Sequence, residues 1–113
     1  MTTQQSTMDY LVEQTESAGS ITTKRMFGEF ALYCDTKVVA FVCDDQLFIK
    51  PTEAGRAWIG EVTEGHPYPG SKPYFLIDGE RWDDAEWLSG LVRVSAEELP
   101  LPKPKKAKKG TAN

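Results

Sequence analysis

This 113-residue chain has one histidine and two cysteines, few of the residues from which metal sites and nucleophilic centres are built. His66 has no second histidine, nearby cysteine or spaced acid pair, so it makes neither a metal site nor a catalytic triad. Cys34 and Cys43 are too few for a disulfide framework or a zinc site. No run approaches the roughly 18 apolar residues of a membrane span, and the polar opening MTTQQSTMDY lacks the basic-then-apolar order of a signal peptide. A cytoplasmic protein without membrane contact is expected. Gly55 and Gly60 are isolated, and no glycine cluster leads into Lys-Ser/Thr, which leaves no phosphate loop. The acid pairs Asp44-Asp45 and Asp83-Asp84 fall at a hairpin turn and a helix start, where Asp is favoured for backbone reasons. No catalytic residue, cofactor or metal is expected, and the chain does not read as an enzyme.

What is present suits a small folded domain. The chain is 40% hydrophobic and 11% aromatic, long enough for one domain that buries about two thirds of its unfolded surface. Charge is segregated. Up to Pro102, 8 basic residues face 17 acidic ones, a balance of −9, and 5 lysines with no acid follow. Residues 1–102 read as the domain and 103–113 as a basic tail. The tail has no apolar anchor beyond two alanines, so it is expected to be disordered. Lys103, Lys105, Lys106, Lys108 and Lys109 are the candidate nucleic-acid contacts, able to give weak, salt-sensitive attachment to phosphates. The plainer reading is a solubilising end lying loosely against its own acidic body.

Periodicity predicts a helix over 6–18, with Ser6 or Thr7 as N-cap and Gly19 as the stop. Strands follow at 21–24, 30–34, 38–43 and 47–50, joined by short turns and therefore antiparallel. Thr52-Glu53 opens a second helix, with Ala54, Ala57 and Trp58 on one face. The segment 61–71 reads as an irregular loop, 72–77 as a strand, and Asp78-Gly79 as a hairpin turn into a strand at 80–82. Asp83, with Glu86 three residues on, caps a last helix that Pro100 ends. The order α, three or four β, α, two β, α makes an α+β domain with helices packed on an antiparallel sheet.

The stretch KRMFGEFALYC mixes bases with aromatics as RNA-binding strands do. Phe27, Phe30 and Tyr33, however, are spaced by three. Such residues point to opposite faces of a strand, so they form no shared stacking platform. A kink at Gly28, with the strand starting near Phe30, is the simpler reading.

A two-residue turn at Thr36-Lys37 would pair Cys34 with Val39, Leu32 with Phe41 and Phe30 with Cys43, an apolar face suited to the core. The opposite face then carries Ala31 and Tyr33 against Val42 and Ala40, which is too apolar for water. Helix, loop or another chain has to cover it. Tyr33, Ala40 and Val42 are thus the candidate surface for an unknown protein partner or a homodimer. In that register Cys34 and Cys43 share a face roughly 13 Å apart, too far for a disulfide, and both are expected as small buried hydrophobes.

The stretch MFGEFALYCDTKVVAFVCDDQLFIKPTEAGRA, with Arg25 before it, resembles the N-terminal domain of the TfoX/Sxy competence-regulator family from bacteria. The likeness runs from about Met8 to Leu99. It is most specific at Arg25-Met26-Phe27-Gly28 and Leu47-Phe48-Ile49-Lys50, and looser at Tyr74-Phe75 and the closing helix. The resemblance implies a secretion-chaperone-like α+β fold, with Met26 and Phe27 packing and Gly28 permitting a bend. Full-length members are regarded as regulators of DNA-uptake genes, acting beside a transcription activator, with a second helical domain where this chain has its lysine tail. The family supplies no catalytic residues. A non-enzymatic, transcription-associated adaptor acting by protein–protein interaction is therefore expected, with tail-mediated nucleic-acid association as the alternative.

Overall fold

A computed structural model describes residues 3–26 and 29–100. Helix α1 (Gln5–Thr15) and a single 3-10 turn (Glu16–Ala18) lead into strands β1 (Ile21–Met26), β2 (Glu29–Cys34), β3 (Lys37–Cys43) and β4 (Gln46–Ile49). Helix α2 (Glu53–Ile59), strands β5 (Thr63–Gly65) and β6 (Tyr74–Ile77), the short helix α3 (Gly79–Trp82) and helix α4 (Ala85–Glu98) follow among the described residues. All six strands join one antiparallel sheet in the order β1-β2-β3-β4-β6-β5. The expected α+β architecture is present. The bend expected at Phe27-Gly28 and the disordered tail expected at 103–113 lie outside the described residues.

The core lies between one sheet face and the helices. Phe30, Leu32 and Cys34 of β2, Ala40 and Val42 of β3, Leu47 and Ile49 of β4, and Phe75 and Ile77 of β6 meet Met8 and Leu11 of α1 and Leu88, Leu91 and Val92 of α4. Strands β2, β4 and β6 send alternate residues inward, β3 adds Val39 next to Ala40 opposite a bulge, and α4 contributes an apolar stripe at helical spacing, so both periodicities converge on one interior.

The β2–β3 register departs from the expectation by two residues beside the turn and by one beyond a bulge. Asp35 and Thr36 occupy the turn, both in the left-handed region (φ 51° and 70°), and Cys34 pairs with Lys37. The register also shifts between Leu32 and Tyr33, so that Phe30 pairs with Val42, Ala31 with Phe41 and Leu32 with Ala40. A one-residue slip moves a strand's side chains to the other face. Ala40 and Val42, expected on the second face, are therefore core residues, each 0% exposed. Phe41 and Cys43, expected in the core, turn outward. The two cysteines consequently lie on opposite faces, Cys34 buried and Cys43 half-buried, both as free thiols.

Three smaller corrections follow. The segment after Asp78 is helical: α3 replaces the expected hairpin strand, and the indole N–H of Trp82 donates to the carbonyl of Ile77 (3.1 Å). The expected loop at 61–71 contains the edge strand β5. Asp84, not Asp83, caps α4, accepting from the Trp87 amide at 3.1 Å. Asp83 instead accepts from the hydroxyl of Tyr10, tying α1 to the start of α4 and raising the tyrosine pKa through that bond.

Candidate functional site

Two features shape the outer face of the sheet, the one turned away from the helices: an aromatic cluster and a loop folded over it. Between β5 and β6 the chain runs through His66-Pro67-Tyr68-Pro69-Gly70-Ser71. The loop closes on itself, because the Ser71 amide donates to the Tyr68 carbonyl (3.1 Å) and the His66 ring Nδ1 lies 2.9 Å from the Ser71 carbonyl. Gly70 takes a φ of +83°, a conformation that disfavours any side chain. Pro67 is thereby buried while Tyr68 stays 50% exposed.

Tyr68 presents its edge to the Phe41 ring, centroids 6.1 Å apart at 87°, and Tyr74 lies 5.7 Å from Phe41 on the other side. Quadrupole matching favours such tilted and edge-on geometries. Beneath them, Phe48 presses against β5 so closely that a β-carbon on Gly65 would stand 2.9 Å from its ring. The loop does not fill the face. A cavity of about 560 Å³ opens on one side of it, walled by Glu29, Phe30, Phe41, Cys43 and Tyr68. A second, of about 370 Å³, opens on the other, between Cys43, Asp44, Gln46, Phe48 and His66. Together they form a groove with Cys43 on its floor and the Pro67–Pro69 strap across it. Both cavities fall in the range that small ligands or short peptide segments fill.

The acidic end of this groove is built, not incidental. Oε1 of Glu29 accepts from the Thr3 hydroxyl (2.6 Å), the Thr3 amide (3.2 Å) and the Asp44 amide (3.0 Å). Asp45 accepts from the Gln4 amide (3.0 Å) and the Thr7 hydroxyl (2.8 Å), and these bonds hold its carboxyl below the ordinary aspartate range. Both Asp44 and Asp45 sit in the left-handed region (φ 54° and 58°), the geometry of a tight hairpin turn, which Asp tolerates. The start of α1, the β3–β4 turn and the start of β2 are thus locked together around Glu29.

Cys43 is a poor nucleophile in this setting. Burial, and then the negative charge of Glu29, push its thiol up to about 11, so it is protonated at neutral pH. Among the described residues no cluster of three or more His, Cys, Asp or Glu side chains could hold a metal, and no helix is long and apolar enough to cross a membrane.

Of the three residues expected as a partner surface, only Tyr33 belongs to this face. Half-buried, it lines a separate hollow of about 370 Å³ with Val38, Lys50 and Pro100 at the far end of the same strands. Ala40 and Val42 are sealed beneath the helices, so they present no surface to a partner. The tail lysines lie outside the described residues. Sequence reasoning missed Phe41, Cys43, Glu29 and Tyr68. The PYP triplet between two glycines was the available signal for the strap, and the register slip hid Phe41 and Cys43.

Comparison with known proteins adds two findings. The family model described as TfoX N-terminal domain matches residues 13–99. The chain is also 44% identical, over 111 residues, to a protein of Spirochaeta aurantia described as an uncharacterized 12.7 kDa protein in the trpE 5′ region, an alignment that covers 98% of this chain and 96% of that protein.

Proposed function

The chain belongs to the TfoX N-terminal domain family, and from that premise we propose that it is a non-enzymatic regulatory domain that works by protein–protein contact through the outer face of its sheet. The observation that carries this reading is the groove beside the Pro67–Pro69 strap, where an exposed tyrosine stands over an aromatic floor. Interfaces draw their affinity from such rigid aromatic anchors at the rim of apolar pockets. The protonated Cys43 and the structurally committed Glu29 add shape and charge there, not reactivity. A cytoplasmic, transcription-associated role agrees with the family.

The test is Tyr68→Lys. Tyr68 is half exposed, so the variant stays folded, yet loses the protein species that the natural chain captures from native lysate. Unchanged capture by a folded Tyr68→Lys removes the groove from the interaction.

Charge segregation supports a second reading, nucleic-acid association through Lys103, Lys105, Lys106, Lys108 and Lys109. It is separated from the first by DNA titration at low and high salt with these five lysines changed to glutamine. Only tail-mediated binding disappears in that variant and weakens steeply with salt.

A further inference from the structure

The described chain leaves α4 at Leu99-Pro100 and emerges beside Tyr33, Val38 and Lys50. Tyr33 lies on the outer face, and the groove lies along the same two strands. From Tyr33 to Glu29 is four residues of β2, roughly 13 Å at about 3.3 Å per residue. The sequence that follows is Leu101-Pro102-Lys103-Pro104-Lys105-Lys106. Alternating prolines favour the polyproline II helix, which advances about 3.1 Å per residue, so Lys105 reaches about 15 Å beyond Pro100. That distance matches the groove's acidic end.

We infer that residues 101–106 of this same chain dock along the outer sheet face, laying Leu101 beside Tyr33 and Pro104 on the aromatic groove and bringing the lysines to Glu29 and Asp44. Three residues per turn put Leu101 and Pro104 on one edge of such a helix and Lys103 and Lys106 on another. The segment therefore has one apolar ridge and one basic ridge. The face it crosses is arranged to match. Lys37 and Lys50 stand at the exit, where the segment is uncharged. Phe41 and Tyr68 wall the middle, where Pro104 passes. Glu29 and Asp44 line the far end, where the lysines arrive. Two cations flank this path in the register of β1 and β2: Lys24, paired with Ala31, and Arg25, paired with Phe30 and already engaged over its ring at 5.1 Å. Preset φ angles keep the entropic cost of docking low, which is why aromatic-lined grooves take proline-rich segments. Docked, the tail occupies the surface proposed for the partner and competes with it, so this inference rests on that reading of the groove.

The test is amide NMR of the full chain, the natural protein against one carrying Lys103→Glu, Lys105→Glu and Lys106→Glu. Docking gives heteronuclear NOE values at Lys103, Lys105 and Lys106 well above those of 110–113. The substitutions lower the values at these positions to the 110–113 level and shift the Phe41, Cys43 and Tyr68 amides. Tyr68→Ala has the same effect on the tail, and the shifts do not change over a tenfold range of protein concentration. Tail values already at the 110–113 level in the natural protein, or shifts that map to the helices, overturn the inference. Shifts that depend on concentration overturn it in favour of docking between copies. If the tail stays free while Tyr68→Lys still loses its partner, this inference fails alone. If the tail docks and no capture depends on Tyr68, the proposed partner role fails alone.

Discussion

The indole of Trp58 lies in a notch that exists only because residue 90 is glycine: a β-carbon at Gly90 would stand 2.2 Å from Cζ2 and 2.6 Å from Cη2 of that ring. The same indole donates from Nε1 to the Trp87 carbonyl at 3.0 Å, so α2 is pinned to α4 by packing and by a hydrogen bond at once.

Glycine inside a helix ordinarily costs up to about 1 kcal/mol relative to alanine. Here the sign reverses. Gly90→Ala either expels Trp58, breaking its bond to Trp87, or separates the helices, and a loss of about 1–3 kcal/mol is expected from the overpacking. Urea denaturation measures it. Adding Trp58→Ala to Gly90→Ala should cost less than the sum of the two single changes, because the clash is shared. A stabilised Gly90→Ala would show that the indole has room to move.

At the other end of α4, Glu98 holds the start of α2. Its carboxylate accepts from the Glu53 amide (3.0 Å) and the Ala54 amide (2.8 Å), two donors that a helix start leaves without intrahelical partners. The Thr52 hydroxyl accepts from the Gly55 amide (2.9 Å) and takes a third. Glu98→Ala should lower stability by about 1 kcal/mol, and Glu98→Gln by less, since an amide oxygen still accepts but brings no charge to the helix dipole. Amide exchange should accelerate first at Glu53 and Ala54.

The elements were legible in the sequence wherever local periodicity controls them. Leu88 and Leu91 point α4 inward by spacing alone, and the strand read over 47–50 is β4 (Gln46–Ile49). The groove was not legible, for two physical reasons. Placing the β2–β3 turn at Asp35-Thr36 puts a β-branched residue at positive φ, which local preference disfavours. The bulge at Leu32/Tyr33 then inserts a residue that no alternation pattern marks. Strand β5 is three residues with no large apolar side chain, so only its pairing with β6 defines it. Glu29 gains its role from partners 15 and 26 positions away.

The register itself can be tested by paired lysine substitutions. Val42→Lys places an ammonium group in the core at a site with 0% exposure and should cost at least about 3 kcal/mol, a large share of a small domain's stability. Tyr68→Lys on the outer strap loses only the edge contact with Phe41 and should cost no more than about 1.5 kcal/mol. Circular dichroism and solution mass distinguish the two. A folded Val42→Lys with altered association would restore the alternative register, in which Val42 faces outward.

Cysteine chemistry gives the last prediction. Both thiols are held above the ordinary cysteine value, Cys43 up to about 11 by burial and then Glu29, and Cys34 by burial and then Asp35, opposed by Lys37. A thiol is neutral when protonated, so a raised folded-state pKa means that the native state holds its proton more firmly than the unfolded chain does. The resulting stability is fully present below about pH 9, where both states are protonated, and is lost as pH climbs through 9 toward 11. The urea midpoint should therefore fall over that interval, and fall less in Cys43→Ser, which removes the more accessible of the two groups. Alkylation at pH 8 should be slower in the native protein than in urea by about tenfold or more at Cys43, because the thiolate is the reacting species. Denatured, unreduced protein should titrate as two free thiols, in keeping with their separation across the sheet. Native Cys43 alkylating as fast as the unfolded chain would mean that the strap opens freely, exposing the groove floor to water.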